Sequence, residues 1–281
     1  MLVSAALGGC ALYFAAGAVF CLATLHVPRW PSGTPPAGAQ DVSVVAADNA
    51  TLRAWWIPAK HSNGNCVIVL HGIGASRAGS VGFAPMFLDE GYSVLAPDSR
   101  AHGASGGRLV TYGLLERYDV IAWAHKMRKL GCHKLYGLGE SLGASILIQA
   151  AAVEPAFDAI AAESPYADLR GIAEYRVHQM AHVPDFVAWA VVGSAVLYAR
   201  TVDHLDLAAV SPVRDIARES TPVLLIHGLA DRRTPPSNSE ELARANRHNA
   251  VWLVTNGDHT NASSIAPGEF RRRVLGWFRQ H

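Results

Sequence analysis

The sequence predicts an α/β fold in which helices cover both faces of a mostly parallel β-sheet. Short, mainly apolar runs occur at 66–70, 92–96, 223–226 and 251–254, as expected for strands buried on both faces. Segments with the apolar spacing of a helix lie between such runs, for example at 111–130. Because strands and helices alternate along the chain, we expect neighbouring strands to run parallel.

The main domain is expected to occupy 41–281. It opens with two strand-like segments, 42–45 and 52–57, joined by the turn residues Asp48-Asn49, which predicts an antiparallel hairpin. In the second half of the chain, the alternation of strands and helices is interrupted mainly by an irregular segment at about 165–213. The other elements follow in order: strand 66–70, helix 80–90, strand 92–96, helix 111–130, a strand from 135 with its helix to 153, strand 157–163, strand 223–227, helix 240–247, strand 251–254 and helix 270–279.

The N-terminal segment is apolar, because residues 2–27 carry no charged side chain. Roughly 20 apolar residues are enough to cross a membrane as a helix. We therefore expect a single-pass transmembrane anchor over 1–28 and membrane localisation, on a side that the flanking charges leave open. A cleaved signal segment, a lipid attachment site and a buried helix are the alternatives. Residues 29–40 are rich in Pro and Gly and are expected to form a linker.

Length, composition and net charge limit the classes of protein to which this chain can belong. The chain has 281 residues, of which 50% are hydrophobic and 17% charged, so it is long and apolar enough to bury a large core. Its formal net charge is +1, and no stripe of Lys and Arg with interleaved aromatic residues occurs. We therefore expect no nucleic-acid partner. Four cysteines are too few for a disulfide framework, and we expect Cys66 and Cys132 to be small buried hydrophobic residues.

One motif, Gly139-Glu-Ser141-Leu-Gly143, predicts a sharp turn between a strand and a helix. Glycines on both sides permit a turn too tight for other side chains, and this turn holds the serine hydroxyl in a cleft. Chance alone produces the motif in about one such chain in ten, so it needs support from other residues. A serine hydroxyl becomes a nucleophile when a base removes its proton and a carboxylate orients that base.

Two residues downstream of Ser141 provide this support, because each follows a predicted strand. Asp231 comes shortly after the strand 223–227, and His259 comes shortly after the strand 251–254. The carboxyl ends of parallel strands meet at one edge of a sheet, where the sites of α/β proteins lie. The sequence therefore predicts Ser141 as the nucleophile, Asp231 as the orienting carboxylate and His259 as the general base, in the chain order that the nucleophile elbow requires.

The domain at 41–281 resembles the α/β-hydrolase family, and in particular its serine-aminopeptidase-like and acyl-hydrolase members, some of which carry a membrane anchor. Six motifs carry the resemblance: His71-Gly-Ile-Gly74, Asp98-Ser-Arg-Ala-His-Gly103, Gly139-Glu-Ser-Leu-Gly143, Glu163-Ser-Pro, His227-Gly-Leu-Ala-Asp231 and Gly257-Asp-His259. The resemblance implies an α/β-hydrolase fold with a small helical cap at about 165–213. It also implies hydrolysis of carboxylic esters or thioesters through an acyl-enzyme on Ser141, with an oxyanion hole formed by the N–H groups of Ile73 and Leu142.

Several assignments within this interpretation have rivals. Glu163 and Asp258 are alternative candidates for the orienting carboxylate, because one ends a strand and the other adjoins the histidine. Asp98 and His102 are arranged like a second dyad, although in the family this loop is a structural turn. Glu140 is the departure from the family pattern, because many members have histidine before the nucleophile.

The substrate is expected to be a small molecule or a lipid acyl compound. The predicted cap contains 186–199, a stretch without charge that fits a lid helix or an ordinary helix packed on the sheet. No motif for binding a metal or a nucleotide occurs, so we expect no cofactor. A serine aminopeptidase and a non-catalytic protein that binds lipid or a partner protein are the alternative functions.

Overall fold

The protein is built around one eight-stranded β-sheet, as shown by a computed structural model that describes the backbone of residues 2–281 and the side chains of residues 11–281. The order of the strands is β1-β2-β4-β3-β5-β6-β7-β8. The pairs β1–β2 and β2–β4 are antiparallel and all others are parallel, which confirms the mostly parallel sheet. The strands are β1 (Gln40–Val45), β2 (Thr51–Ile57), β3 (Asn65–Leu70), β4 (Ser93–Pro97), β5 (Lys134–Glu140), β6 (Ala159–Glu163), β7 (Val223–Gly228) and β8 (Ala250–Val254).

Helices cover both faces of the sheet. The helices of the described residues are α1 (Leu2–Leu25), α2 (Arg77–Ser80), α3 (Ala84–Leu88), α4 (Glu116–Lys129), α5 (Leu142–Ala151), α6 (Leu169–Ala181), α7 (Asp185–Thr201), α8 (Pro212–Ile216), α9 (Ser237–Ala245), α10 (Ala262–Ile265) and α11 (Pro267–Gln280). Apolar residues of α4, α5, α8 and α9 pack on one face, and those of α3, α10 and α11 pack on the other. The predicted two-sided core is therefore confirmed.

Strand β5 shows why these sequences form central strands. Its residues alternate between the two faces, with Leu135 in one core cluster and Tyr136 and Leu138 in the other. The Tyr136 ring stacks on Phe278 of α11, with ring centroids 4.6 Å apart. Each large apolar side chain that is fully buried contributes roughly 1.5–3 kcal/mol to the stability of the fold. A strand that is apolar on both faces is therefore most stable in the middle of the sheet, where both faces are covered.

The N-terminal helix α1 corrects one prediction. Over the part of the chain that the structure describes, no helix has both the length and the apolar character needed to cross a membrane. One face of α1 instead packs against α7: Cys21 is buried and its thiol donates to the Ala195 carbonyl at 3.1 Å. Gly17 permits the contact, because a Cβ there would lie 2.4 Å from the Ser194 carbonyl oxygen.

The transmembrane anchor at 1–28 and the membrane localisation inferred from it are therefore wrong. Among the described side chains of α1, Cys21 and Leu25 are buried, whereas Leu12, Val19 and Leu22 are exposed. The side chains of residues 1–10, which belong to the same prediction, lie outside the described residues.

The segment predicted as a linker, 29–40, lies along the domain. The Arg29 guanidinium donates to the Ser105 carbonyl at 2.6 Å. The Ser32 hydroxyl donates to the buried Asp98 carboxylate, also at 2.6 Å. These contacts join the N-terminal segment to the loop that follows β4.

Two cysteines expected to be separate buried residues form a disulfide. Cys66 at the start of β3 is bonded to Cys132 in the loop before β5, with Cα atoms 5.7 Å apart. Both side chains are buried, as expected, but their pairing was not predicted. Because β3 and β5 are adjacent in the sheet, the bond joins the starts of two neighbouring central strands.

Between β6 and β7, the helices α6, α7 and α8 occupy most of the segment that the resemblance assigns to a cap. Helix α6 contacts the loop after β7: the Tyr175 hydroxyl and the Gln179 amide both donate to the Arg232 carbonyl, at 3.1 and 2.8 Å. Helix α7 contains the charge-free stretch 186–199 and packs against both α1 and α6.

Candidate active site

The strand-to-helix turn predicted around Ser141 is present between β5 and α5. Ser141 has a positive φ of 51°, a strained conformation for a residue with a side chain. Both flanking glycines are required, because a Cβ at Gly139 would lie 2.6 Å from the Ala144 nitrogen. At Gly143 it would lie 2.6 Å from the Leu70 carbonyl oxygen. The sequence thus folds into an elbow that presents the half-buried serine hydroxyl at the carboxyl edge of the sheet.

The three residues predicted from their positions after strands lie together at this edge. His259 Nε2 is 2.9 Å from Ser141 Oγ, and His259 Nδ1 is 2.7 Å from Asp231 Oδ2. A carboxylate accepts hydrogen bonds only, so Nδ1 carries the hydrogen and Nε2 is free to accept the serine proton. This arrangement can deprotonate Ser141 and stabilise the resulting imidazolium.

The Asp231 carboxylate is buried and accepts several hydrogen bonds. The backbone N–H groups of Arg233 and Thr234 donate to Oδ1 at 2.8 and 2.9 Å. His227 Nε2 lies 3.3 Å from Oδ2. Burial on its own favours the neutral acid, but hydrogen bonds from His227, His259 and Thr234 outweigh it and hold the pKa of Asp231 well below its usual range. Asp231 is therefore the ionised partner that His259 needs.

The rival carboxylates have other partners. Asp258 Oδ1 accepts the backbone N–H of His259, and Glu163 Oε1 accepts the backbone N–H of Ala262 at 2.8 Å. Asp98 accepts from Ser32 and from two backbone N–H groups, while the His102 ring bonds to the backbone elsewhere. The structure thus places Asp231 on His259, and it does not bring Asp98 and His102 together as a dyad.

The residues predicted for the oxyanion hole flank Ser141. Leu142 is the first residue of α5, where backbone N–H groups have no partner within the helix. Ile73 lies in the segment 71–74 after β3, which we term the oxyanion loop, and its side chain is exposed. This loop passes close to the nucleophile, since a Cβ on Gly72 would lie 3.4 Å from the Ser141 Cβ.

Glu163 links the nucleophile to the base, a role that sequence analysis did not assign. Its carbonyl accepts the Ser141 N–H at 2.7 Å, and its side chain holds the Ala262 N–H just beyond His259. The adjacent Ser164 hydroxyl accepts the Thr260 N–H at 3.4 Å. A glutamate at the end of an otherwise apolar strand was the available signal. Its position there suggested a catalytic acid, and the structure shows a support for the histidine loop.

Glu140 and Glu163 form a pair of neighbouring carboxyl groups beside the elbow. They are register partners on β5 and β6, so their side chains lie on the same face of the sheet. Burial and the neighbouring Glu163 raise the pKa of Glu140 to about 8. Burial also raises the pKa of Glu163 to about 7, despite the Ala262 N–H. Glu163 Oε2 is buried and has no hydrogen-bond partner among the described residues.

Replacing Glu140 with glutamine is therefore expected to stabilise the protein at alkaline pH. In the unfolded chain glutamate titrates near 4.5, so between pH 4.5 and about 8 the folded protein binds more protons than the unfolded chain. Stability then falls as pH rises, and the neutral Glu140→Gln avoids this loss. We expect similar melting temperatures at pH 5, and at pH 8.5 a gain of several degrees, corresponding to roughly 1–3 kcal/mol.

Thermal unfolding of wild type and variant at both pH values tests this expectation. Glu241→Gln, on an exposed position of α9, is the matched control and should follow the wild type at each pH. An equal effect of Glu140→Gln at pH 5 and pH 8.5 would contradict the assigned titration.

Metal binding finds no support in the part of the chain that the structure describes. Within it, no group of three or more His, Cys, Asp and Glu side chains is arranged to hold a metal ion.

Comparison with known proteins identifies chains and structures that are similar to this one. A family model described as the alpha/beta hydrolase fold matches residues 65–188. The uncharacterized protein YqkD of Bacillus subtilis is 29% identical over 221 residues, covering 77% of this chain and 72% of its own. The uncharacterized protein YfhR of Salmonella typhi is 27% identical over 240 residues, covering 83% and 78%.

Among solved structures, the esterase Pf2001 of Pyrococcus furiosus superposes with a TM-score of 0.74 and 25% identity, covering 90% of this chain and 98% of the esterase. The matched family model agrees with this structural similarity. The chain therefore has the α/β-hydrolase fold, and its similarity to the esterase supports its assignment as a hydrolase.

Proposed function

We propose that the protein is a serine hydrolase that cleaves carboxylic esters or thioesters through an acyl-enzyme on Ser141. The observation that carries the proposal is the continuous chain of hydrogen bonds from Ser141 Oγ through His259 to the ionised Asp231. A serine in a strained elbow with a correctly oriented histidine is the arrangement that nucleophilic acyl transfer requires.

The geometry supports a two-step reaction. Ser141 Oγ attacks the substrate carbonyl carbon as its proton passes to His259 Nε2, and Asp231 holds the imidazolium through Nδ1. The N–H groups of Ile73 and Leu142 stabilise the oxyanion, and the leaving alcohol or thiol departs with the proton from His259. Water then attacks the acyl-enzyme with His259 as base, which releases the acid and restores the Ser141 hydroxyl.

The segment at about 165–213 is proposed as the cap that shapes the acyl pocket. The bonds from Tyr175 and Gln179 to the Arg232 carbonyl attach α6 to the loop that bears Asp231. Exposed apolar side chains on α6 and α7, including Met180, Phe186 and Trp189, fit a hydrophobic acyl substrate rather than a highly charged one.

Labelling with a fluorophosphonate tests the proposal. The probe should modify the wild-type protein and add its mass to the peptide that contains Ser141, whereas Ser141→Ala and His259→Ala should remain unlabelled. p-Nitrophenyl esters of graded chain length then define the acyl preference. Equal labelling of Ser141→Ala would overturn the assignment.

A serine aminopeptidase is the second candidate, because the Glu140–Glu163 pair places carboxyl groups beside the nucleophile where a substrate amine needs a negative partner. The pKa of Glu140, raised to about 8, favours the neutral form of this group near pH 7, which argues for the esterase. Faster hydrolysis of aminoacyl anilides than of p-nitrophenyl esters would reverse this preference. A non-catalytic binding protein is disfavoured by the bonded Ser141–His259 pair, and it predicts no ester turnover at all.

A further inference from the structure

Two histidines outside the predicted triad form hydrogen bonds within the oxyanion loop: His71 is its first residue, and His102 contacts it at Gly74. His71 follows β3 and His102 lies in the loop after β4, and both side chains are buried. Their rings meet edge to face with centroids 5.0 Å apart. The oxyanion loop, residues 71–74, passes next to Ser141. Two adjacent strand ends thus bring a pair of imidazoles onto the short segment that carries Ile73.

Hydrogen bonds to the backbone fix the tautomer of each ring. His71 Nε2 lies 3.1 Å from the Ser99 nitrogen, an N–H donor, so Nε2 accepts and the hydrogen sits on Nδ1. That Nδ1–H donates to the Gly72 carbonyl at 2.8 Å. In the same way, His102 Nε2 accepts the Gly74 N–H at 3.1 Å, and its Nδ1–H donates to the Arg100 carbonyl at 2.9 Å.

Each bond restrains a different peptide unit of the loop. The Gly72 carbonyl and the Ile73 N–H belong to one planar trans peptide and point in opposite directions. Because His71 holds the carbonyl end of this unit, it also sets the direction of the Ile73 N–H. The next donor, Gly74 N–H, is held by His102, and Gly74 itself has a φ of +69° that permits the turn.

We propose that His71 and His102 act together as positioning residues that aim the Ile73 N–H at the substrate oxyanion. The inference rests on the proposed hydrolase function, because it assigns a catalytic purpose to the orientation of this N–H. The Gly72 carbonyl also accepts the Ala75 N–H at 3.3 Å, which closes a turn over 72–75. The two histidine bonds add to this turn and further restrict φ and ψ around Ile73, where glycine at 72 and 74 allows the backbone more conformations than other residues would. A donor that is already oriented costs nothing to reorganise during the reaction, and losing one such donor lowers the rate about 10²–10³-fold.

The environment of the pair keeps both rings neutral, as the tautomers require. Burial and the neighbouring His102 lower the pKa of His71 to about 4, against the Gly72 carbonyl and Asp98, which favour the charged form. Burial also lowers the pKa of His102, and the positive charge of Arg29 lowers it further. The Arg100 carbonyl, Glu116 and Asp98 favour the charged ring, but they do not outweigh burial. A proton added at Nε2 would face a backbone N–H and break the contact to the loop.

Substitution of His102 tests the proposal through the separation of kcat from KM. His102→Leu fills similar space without an acceptor, and we expect kcat for a p-nitrophenyl ester to fall about 10–100-fold while KM stays within about threefold. His102→Gln places its amide oxygen near the former Nε2 and should recover part of kcat. His125→Ala, on an exposed position of α4, is the matched control and should behave as the wild type.

A second measurement does not depend on activity or on the folding of the His102 variants. In the full-length, ¹⁵N-labelled Ser141→Ala protein, the ring nitrogens of His71 and His102 should show protonated Nδ1 and unprotonated Nε2. The reverse tautomer in either ring would overturn the proposal, as would a folded His102→Leu with kcat within twofold of the wild type. If Ser141→Ala retained full esterase activity, the proposed function would fail instead, and the ring signals would still report the loop contacts separately.

Discussion

The Asp231→Asn variant is expected to fold normally and to lose about four orders of magnitude in kcat. In the wild type, Asp231 Oδ2 accepts the Nδ1–H of His259 at 2.7 Å, which leaves Nε2 as the acceptor for the serine proton. An asparagine amide can present an N–H group at this position instead, and His259 then takes the tautomer with hydrogen on Nε2. That tautomer cannot deprotonate Ser141, and the positive charge that forms on the ring during attack loses its partner.

Steady-state hydrolysis of a p-nitrophenyl ester measures this loss, with circular dichroism melting as the check on folding. Asp258→Asn is the matched control, because Asp258 adjoins His259 and an asparagine oxygen can still accept the His259 backbone N–H. We expect the control to keep kcat within a few-fold of the wild type. If Asp231→Asn retained a tenth of wild-type kcat, or if Asp258→Asn were equally inactive, the orienting role would not belong to Asp231.

The parts of this site that sequence could predict are those set by local pattern and by the geometry of parallel strands. Glycines at 139 and 143 specify the elbow because no Cβ fits at either position. Asp231 and His259 could be predicted because each follows a strand whose carboxyl end must reach the same edge of the sheet. Their separation of many residues along the chain is irrelevant once the strands are parallel.

The parts that sequence could not predict depend on which elements become neighbours. An apolar helix such as α1 has the same composition whether it crosses a membrane or packs on another helix, and its close contact with α7 at Gly17 and Ser194 is a tertiary feature that composition does not show. Likewise, the orientation of the oxyanion loop depends on His102, whose loop had to be placed beside β3 before the contact could be recognised. Neither the packing of α1 on α7 nor the contact of His102 with the oxyanion loop follows from the pattern of apolar residues.

The disulfide between Cys66 and Cys132 also depends on which strands become neighbours, so it could not be predicted from the sequence. Its removal is the second change from which we expect a large effect. Replacing both Cys66 and Cys132 with serine is expected to lower the free energy of unfolding by about 4 kcal/mol, because the bond closes a loop with a sequence separation of 66 residues. The bond restricts the unfolded chain, and its removal restores the conformational entropy of that loop to the unfolded state. Equilibrium unfolding in guanidinium chloride should show a lower midpoint with little change in kcat.

Reduction provides the matched control for this variant. Dithiothreitol should shift the unfolding midpoint of the wild type toward that of the double variant and should leave the double variant unchanged, since Cys21 is not part of the bond. Activity should survive in both because the bond lies at the starts of β3 and β5, whereas the oxyanion loop and Ser141 follow their carboxyl ends. The two strands remain paired from Asn65 to Leu70 without it, so the sheet and not the disulfide sets the distance between nucleophile and oxyanion loop. A loss of kcat that matched the loss of stability would show instead that the covalent link positions the site.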